Sequence, residues 1–210
     1  DAVPQLQSIA KDGLMFTRFY ANSFRTDRGL VAILSGFPAQ PNMSLMKYPK
    51  KTANLPSIAR HLKEAGYGTK YYYGGDADFT NMRSFLVNQG FKHITEDVDF
   101  PMDERLSKWG VPDHLLMKRV ERDLSNRPGD GKPRLTVIQT TSSHEPFDVP
   151  YHRLKNKILN AFAYADNSVG EFVEYLKRSK KWDNSLVILV PDHLGAWPEH
   201  PDNFKPWRYH

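Results

Sequence analysis

The 210-residue sequence predicts an α/β fold, a largely parallel central sheet with helices on both faces. Two observations carry this. Stretches of strand-like composition alternate along the chain with stretches whose apolar residues recur at helical spacing. One late run, Leu186 to Val190, is wholly apolar, the pattern of a strand covered on both faces.

The elements follow in order. "GLMFTRFYAN", rich in Phe16, Phe19 and Tyr20, reads as a strand. "DRGLVAILSGF" reads as a helix that stops at Gly36, with Pro38 beyond it. Residues 40–54, with Pro41 and Pro49, read as a polar loop. "NLPSIARHLKEAGY" places Leu55, Ile58, Ala59 and Leu62 on one helical face, with Pro56 near its start and Gly66 at its end. "GTKYYYGG" is a strand between glycines, "FTNMRSFLVNQGF" a helix stopping near Gly90, and "KHITED" a short strand. "PDHLLMKRVERDLSN" is a helix with Leu115, Leu116, Val120 and Leu124 on its apolar face. "GDGKP" is a loop and "RLTVIQTTSS" a strand. Residues 154–181 form a long amphipathic helix, and "SLVILVPD" is the last strand. No repeat or low-complexity segment interrupts this order, and the whole of 1–210 reads as one domain.

Composition narrows the chemistry. The chain has no cysteine, which excludes thiolate catalysis and cysteine-based zinc sites. The net charge is +5, but the basic residues are scattered in short groups rather than gathered in an arm, so nucleic acid is not the expected partner. An anionic substrate or membrane surface suits that sign. No run reaches about 18 apolar residues, so no membrane span is expected.

Polar residues cluster where open α/β sheets place their ligands, at the carboxyl ends of strands and the starts of the following helices. Asp192 and His193 close the run "LVILVP" and offer a carboxylate and an imidazole, both good ligands for Zn²⁺ or Mn²⁺. Thr26, between Arg25 and Asp27, precedes an apolar helix. It is either a helix cap or a hydroxyl in a field that stabilises anions. Asp76 lies just past "TKYYYG", with Arg83 about two turns on. Arg83 suits phosphate or sulfate oxygens, the alternative being a cap and a surface cation. His144 in "QTTSSHEPF" and His200 in "PEHPDN" are either donors to an anionic group or ordinary loop histidines.

The order of these motifs resembles the sulfatase-like branch of the alkaline phosphatase superfamily, closest to lipoteichoic acid synthase-type phosphoglycerol transferases. "VPQLQSIAKDGLMFTRFYANSFRTDRG", "LPSIARHLKEAGYGTKYYYGGD", "WGVPDHLLM", "TTSSHEPF" and "DNSLVILVPDH" follow in family order. The resemblance implies a metal-dependent phosphotransferase or phosphodiesterase acting on phosphoglycerol-type esters. Thr26 would be the nucleophile and also touch the metal. Asp192 and His193 would ligate one divalent ion, Mn²⁺ favoured over Zn²⁺, Mg²⁺ or Ca²⁺. Asp76, Arg83, His144 and His200 would bind substrate, with a lipid headgroup among the candidates. The resemblance also implies a membrane-anchored parent acting on the extracytoplasmic face of a bacterial membrane. The family's remaining ligand, a glutamate on the first strand, has no counterpart here, and the C-terminal part of the domain is cut. The expectation is a domain truncated at both ends, the fragment alone being inactive. Gly74-Gly75-Asp76 stands where the transferases have His-Gly-Asp, and Asn81 where they have tryptophan. A sulfuric or phosphoric ester hydrolase, and an inactive anion-binding module, are the alternatives. Thr26 in "RTDRG" argues against sulfatases that use a modified cysteine or serine.

Overall fold

In the computed structural model, which describes residues 1–126, 130–193, 195 and 197, the sheet is built on one strand, β1 (Gly68–Tyr73). It pairs in parallel with β2 (His93–Thr95) on one side, Tyr71 opposite Ile94. On the other side it pairs in parallel with β3 (Arg134–Gln139), Tyr71 opposite Val137, giving the order β2-β1-β3. A strand's side chains alternate between faces, so the three consecutive tyrosines of β1 serve two cores. Tyr71 and Tyr73 join Leu30, Leu34, Met46 and Phe85 on one face. Tyr72 joins Phe100, Val111, Leu116 and Val120 on the other.

The first face is covered by α2 (Thr26–Ser35), α4 (Ile58–Glu64) and α5 (Met82–Asn88), the second by α6 (Asp113–Ser125) and α7 (Lys157–Arg178). Helices therefore flank a parallel sheet, as the alternation predicts. The punctuation also holds. Gly36 caps α2 at φ 66°, and Gly66 follows α4 at φ 91°. Ser57 starts α4, its hydroxyl accepting from Arg60 N at 3.1 Å.

Four segments differ from the expectation. Residues 13–22 form no strand: Leu14, Phe16 and Tyr20 are exposed, at 91%, 76% and 63%. The run 186–190 is extended but unpaired, with Leu186 87% exposed. Both have strand composition, but a strand exists only where a neighbour's C=O and N–H groups pair with its own N–H and C=O groups, and no described residue does so. The loop 40–54 is not wholly polar or irregular. It carries a 3₁₀ turn at Leu45–Lys47, the short helix α3 (Pro49–Thr52) and a fully buried Met46. A helix unforeseen in the sequence, α1 (Pro4–Lys11), lies against α7, where the buried Asp166 carboxylate accepts from Gln5 N at 2.9 Å and Leu6 N at 2.8 Å. These are free N–H groups of the first turn of α1, which has no cap of its own.

Candidate active site

Thr26 is the first residue of α2. The helix has no side-chain cap, its N-cap being Arg25, so the threonine hydroxyl is not engaged in capping. Asp27 is buried, and its carboxylate meets Arg25 Nε at 3.3 Å. Gly29, one turn on, is where the chain's late segment arrives. A Cβ there would lie 1.8 Å from the backbone oxygen of Asp192. Residues three apart share a helix face, so Asp192 is seated beside the face that carries Thr26. Glycine, which weakens a helix interior, is needed here for backbone to pass backbone.

Asp192 and His193 stand together, with His193 Nε2 3.9 Å from Asp192 Oδ2. Tyr73, at the carboxyl end of β1, links this pair to Asp76. Burial pushes its phenol up to about 12, and the negative charges of Asp76, Asp192 and Asp97 add to the shift. Tyr71 is raised as well, first by burial and then by Asp192. Asp192 thus approaches the end of β1 as well as α2, and the structure brings Thr26, Asp192, His193 and Asp76 around one end of the sheet. A carboxylate, an imidazole and a hydroxyl suit a divalent ion by donor chemistry. Among the described residues, however, no group of three or more carboxylate or imidazole ligands assembles. The residues present fit part of a metal site.

The other expected residues are placed as follows. Asp76 is exposed, and its Oδ1 accepts from Asp78 N at 2.8 Å, an Asx turn rather than a helix cap. Arg83, in the first turn of α5, is held by two carboxylates. Its Nε lies 2.7 Å from Asp78 Oδ1, and its Nη2 2.5 Å from Glu96 Oε1. The guanidinium pulls the Asp78 carboxyl below its ordinary value. His144 lies on the exposed loop after β3. His200 lies outside the described residues.

Two residues that the sequence did not single out fasten the His144 loop. Asp113, at the start of α6, is fully buried, and its Oδ1 accepts from Thr141 N at 2.9 Å and Ser142 N at 3.2 Å. Burial raises its carboxyl above the ordinary range, against the lowering effect of those bonds, and its Oδ2 has no partner. Trp109 packs on His144, ring centres 4.4 Å apart. Its place in an irregular loop beside Gly110 was the available signal, since a large aromatic in a loop needs a surface to cover.

The comparisons with known proteins bear on the family and the fold. A family model described as Sulfatase matches residues 1–209. Phosphoglycerol transferase I of Xanthomonas campestris pv. campestris (strain B100) is 28% identical over 214 residues, which cover 92% of this chain and 30% of that protein. Among solved structures, a protein in the alkaline phosphatase superfamily from Vibrio parahaemolyticus superposes with a TM-score of 0.78 at 30% identity, covering 92% of this chain and 52% of that one. The lipoteichoic acid synthase from Listeria monocytogenes superposes at 0.77 and 20% identity, over 97% and 57%. The chain thus spans under a third of the curated relative and about half of the solved chains. With a parallel sheet flanked by helices and a Sulfatase model matching residues 1–209, the chain belongs to the sulfatase family of the alkaline phosphatase superfamily.

Proposed function

We propose that this chain is the threonine-bearing part of a metal-dependent phosphotransferase or phosphodiesterase for phosphoglycerol-type esters, in a membrane-anchored parent working on the extracytoplasmic side. The observation that carries it is Thr26, uncapped at the N-terminus of α2 and one turn from the glycine on which Asp192 rests. The likeness to a phosphoglycerol transferase supports the substrate class. Among the described residues no helix is long and apolar enough to cross a membrane.

Asp192, His193 and the Thr26 hydroxyl would hold the divalent ion, Mn²⁺ by preference. When bound, such an ion lowers the pKa of a coordinated hydroxyl and neutralises phosphate oxygens. The residues of this chain do the rest. Thr26 Oγ attacks phosphorus in line as the bond to the leaving oxygen breaks, the hydroxyl proton passing to the departing alcohol, and a phospho-threonine ester remains. The first-turn N–H groups of α2 stabilise negative charge at that oxygen. His144 and Asp76 orient the ester, and His200 is proposed to assist. Arg83 donates through Nη1, since its Nε and Nη2 are engaged with Asp78 and Glu96. An acceptor alcohol then displaces Thr26.

The test is peptide mass spectrometry of the full polypeptide quenched during turnover. A phosphoglycerol adduct on the peptide containing Thr26, lost in Thr26→Ala, is expected. Turnover by a folded Thr26→Ala protein would refute the assignment.

A further inference from the structure

The 107–111 loop is fixed against the residues that precede Asp76. Val111 N donates to Gly74 O at 2.7 Å, and a Cβ on Gly75 would meet Trp109 O at 2.7 Å. From this base the Trp109 indole reaches the other substrate loop. Its ring centre lies 4.4 Å from that of His144, tilted by 56°, and its Nε1–H donates to the backbone oxygen of Glu145. Phe79 closes on the indole edge-on at 6.0 Å. The same Glu145 oxygen lies 3.1 Å from His144 Nδ1. A carbonyl only accepts, so in the neutral ring Nδ1 carries the hydrogen, and Nε2 is the nitrogen left for a ligand.

We propose that Trp109 is a positioning residue for His144. It clamps the 144–145 segment by ring contact and by the bond to Glu145, fixes the Nδ1–H tautomer, and so presents Nε2, an acceptor in the neutral ring, to a hydroxyl of the phosphoglycerol substrate. This rests on the phosphoester reading above. Trp109 acts through His144 and Glu145. It couples the Asp76 loop to the His144 loop.

The test uses the full polypeptide, with long-range ¹H–¹⁵N spectra of the imidazoles recorded above the ordinary histidine range and His144 assigned from His144→Gln. The parent should show the Nδ1–H form at His144. Trp109→Ala should show mixed tautomers, with KM for a phosphoglycerol ester raised about tenfold and kcat changed much less. Trp109→Phe, which keeps a ring, should recover most of the loss in KM. Unchanged His144 nitrogen signals in folded Trp109→Ala and Trp109→Phe proteins would overturn the proposal, whatever happens to KM. If His144→Gln leaves KM unchanged while Trp109→Ala still alters the nitrogens, the clamp stands and the substrate role of His144 falls.

Discussion

Gly29→Ala tests the seating of Asp192. On helix propensity alone the change should stabilise α2 by about 1 kcal/mol. The structure predicts the opposite outcome for the site. The added Cβ would lie 1.8 Å from Asp192 O and 2.6 Å from its carbonyl carbon. Real contacts of this kind do not fall below 3.0 Å, so Asp192 must retreat by about 1.2 Å. Both contacting atoms are backbone, so no side-chain rotation relieves the clash. A displacement of about 1 Å near reacting groups costs on the order of 100-fold in rate. Gly29→Ala should therefore lower turnover by about that factor, with global stability in denaturant little changed. The assay is steady-state cleavage of a phosphoglycerol ester by the full polypeptide, beside urea denaturation of the same protein. Gly36→Ala is the control. Its φ of 66° disfavours alanine but no atom lies within 4 Å, so it should lose stability and keep its rate. A folded Gly29→Ala protein with near-normal turnover would show that Asp192 does not rest on α2.

Three further outcomes are expected. Asp113→Ala removes the acceptor for Thr141 N and Ser142 N and should cost about 1–3 kcal/mol, with faster amide exchange at both positions. Asp113→Asn keeps one acceptor oxygen and should alter the pH profile. Because burial raises the Asp113 carboxyl, its contribution to stability is complete below the unfolded value and is lost as pH rises through the folded one. Removing the titration should abolish that loss, which urea melts between acid and neutral pH would record. Asp166→Ala should free the two N–H groups of Gln5 and Leu6, release α1 from α7 and cost about 2–3 kcal/mol. Cleavage near residue 12 by a protease at low concentration would then precede global unfolding.

The sequence made β1, α6 and α7 legible because periodicity and punctuation agreed there. It misled at 13–22 and 186–190 because apolar composition describes a side chain's preference, whereas a strand is a relation to a neighbour. α1 escaped because Asp166, the residue that completes its first turn, lies 160 positions beyond Leu6. The site shows the same division. Thr26, Asp192 and His193 were candidates from local context, and the structure seats Asp192 beside α2 although the run before it forms no strand. Asp113 and Trp109 were not, since their importance lies in which distant backbone they hold. Arg83 was a candidate anion-binding side chain from the sequence, but its carboxylate partners Asp78 and Glu96 could not be read from spacing alone.

The register of the sheet also sets an order of assembly. Lys70 faces His93 across 23 residues, whereas Gly68 faces Arg134 across 66. The longer closure costs about 0.9 kcal/mol more in chain entropy, and its contacts form only after it has been made. The β1-α5-β2 unit is therefore expected to nucleate first, with β3 arriving later through α6. β3 delivers the His144 loop, and Asp113 at the start of α6 fastens it. In pulse-labelled refolding, amide protection at Tyr71 should thus precede protection at Thr141 and Ser142, making the substrate loop the last part of this region to be seated.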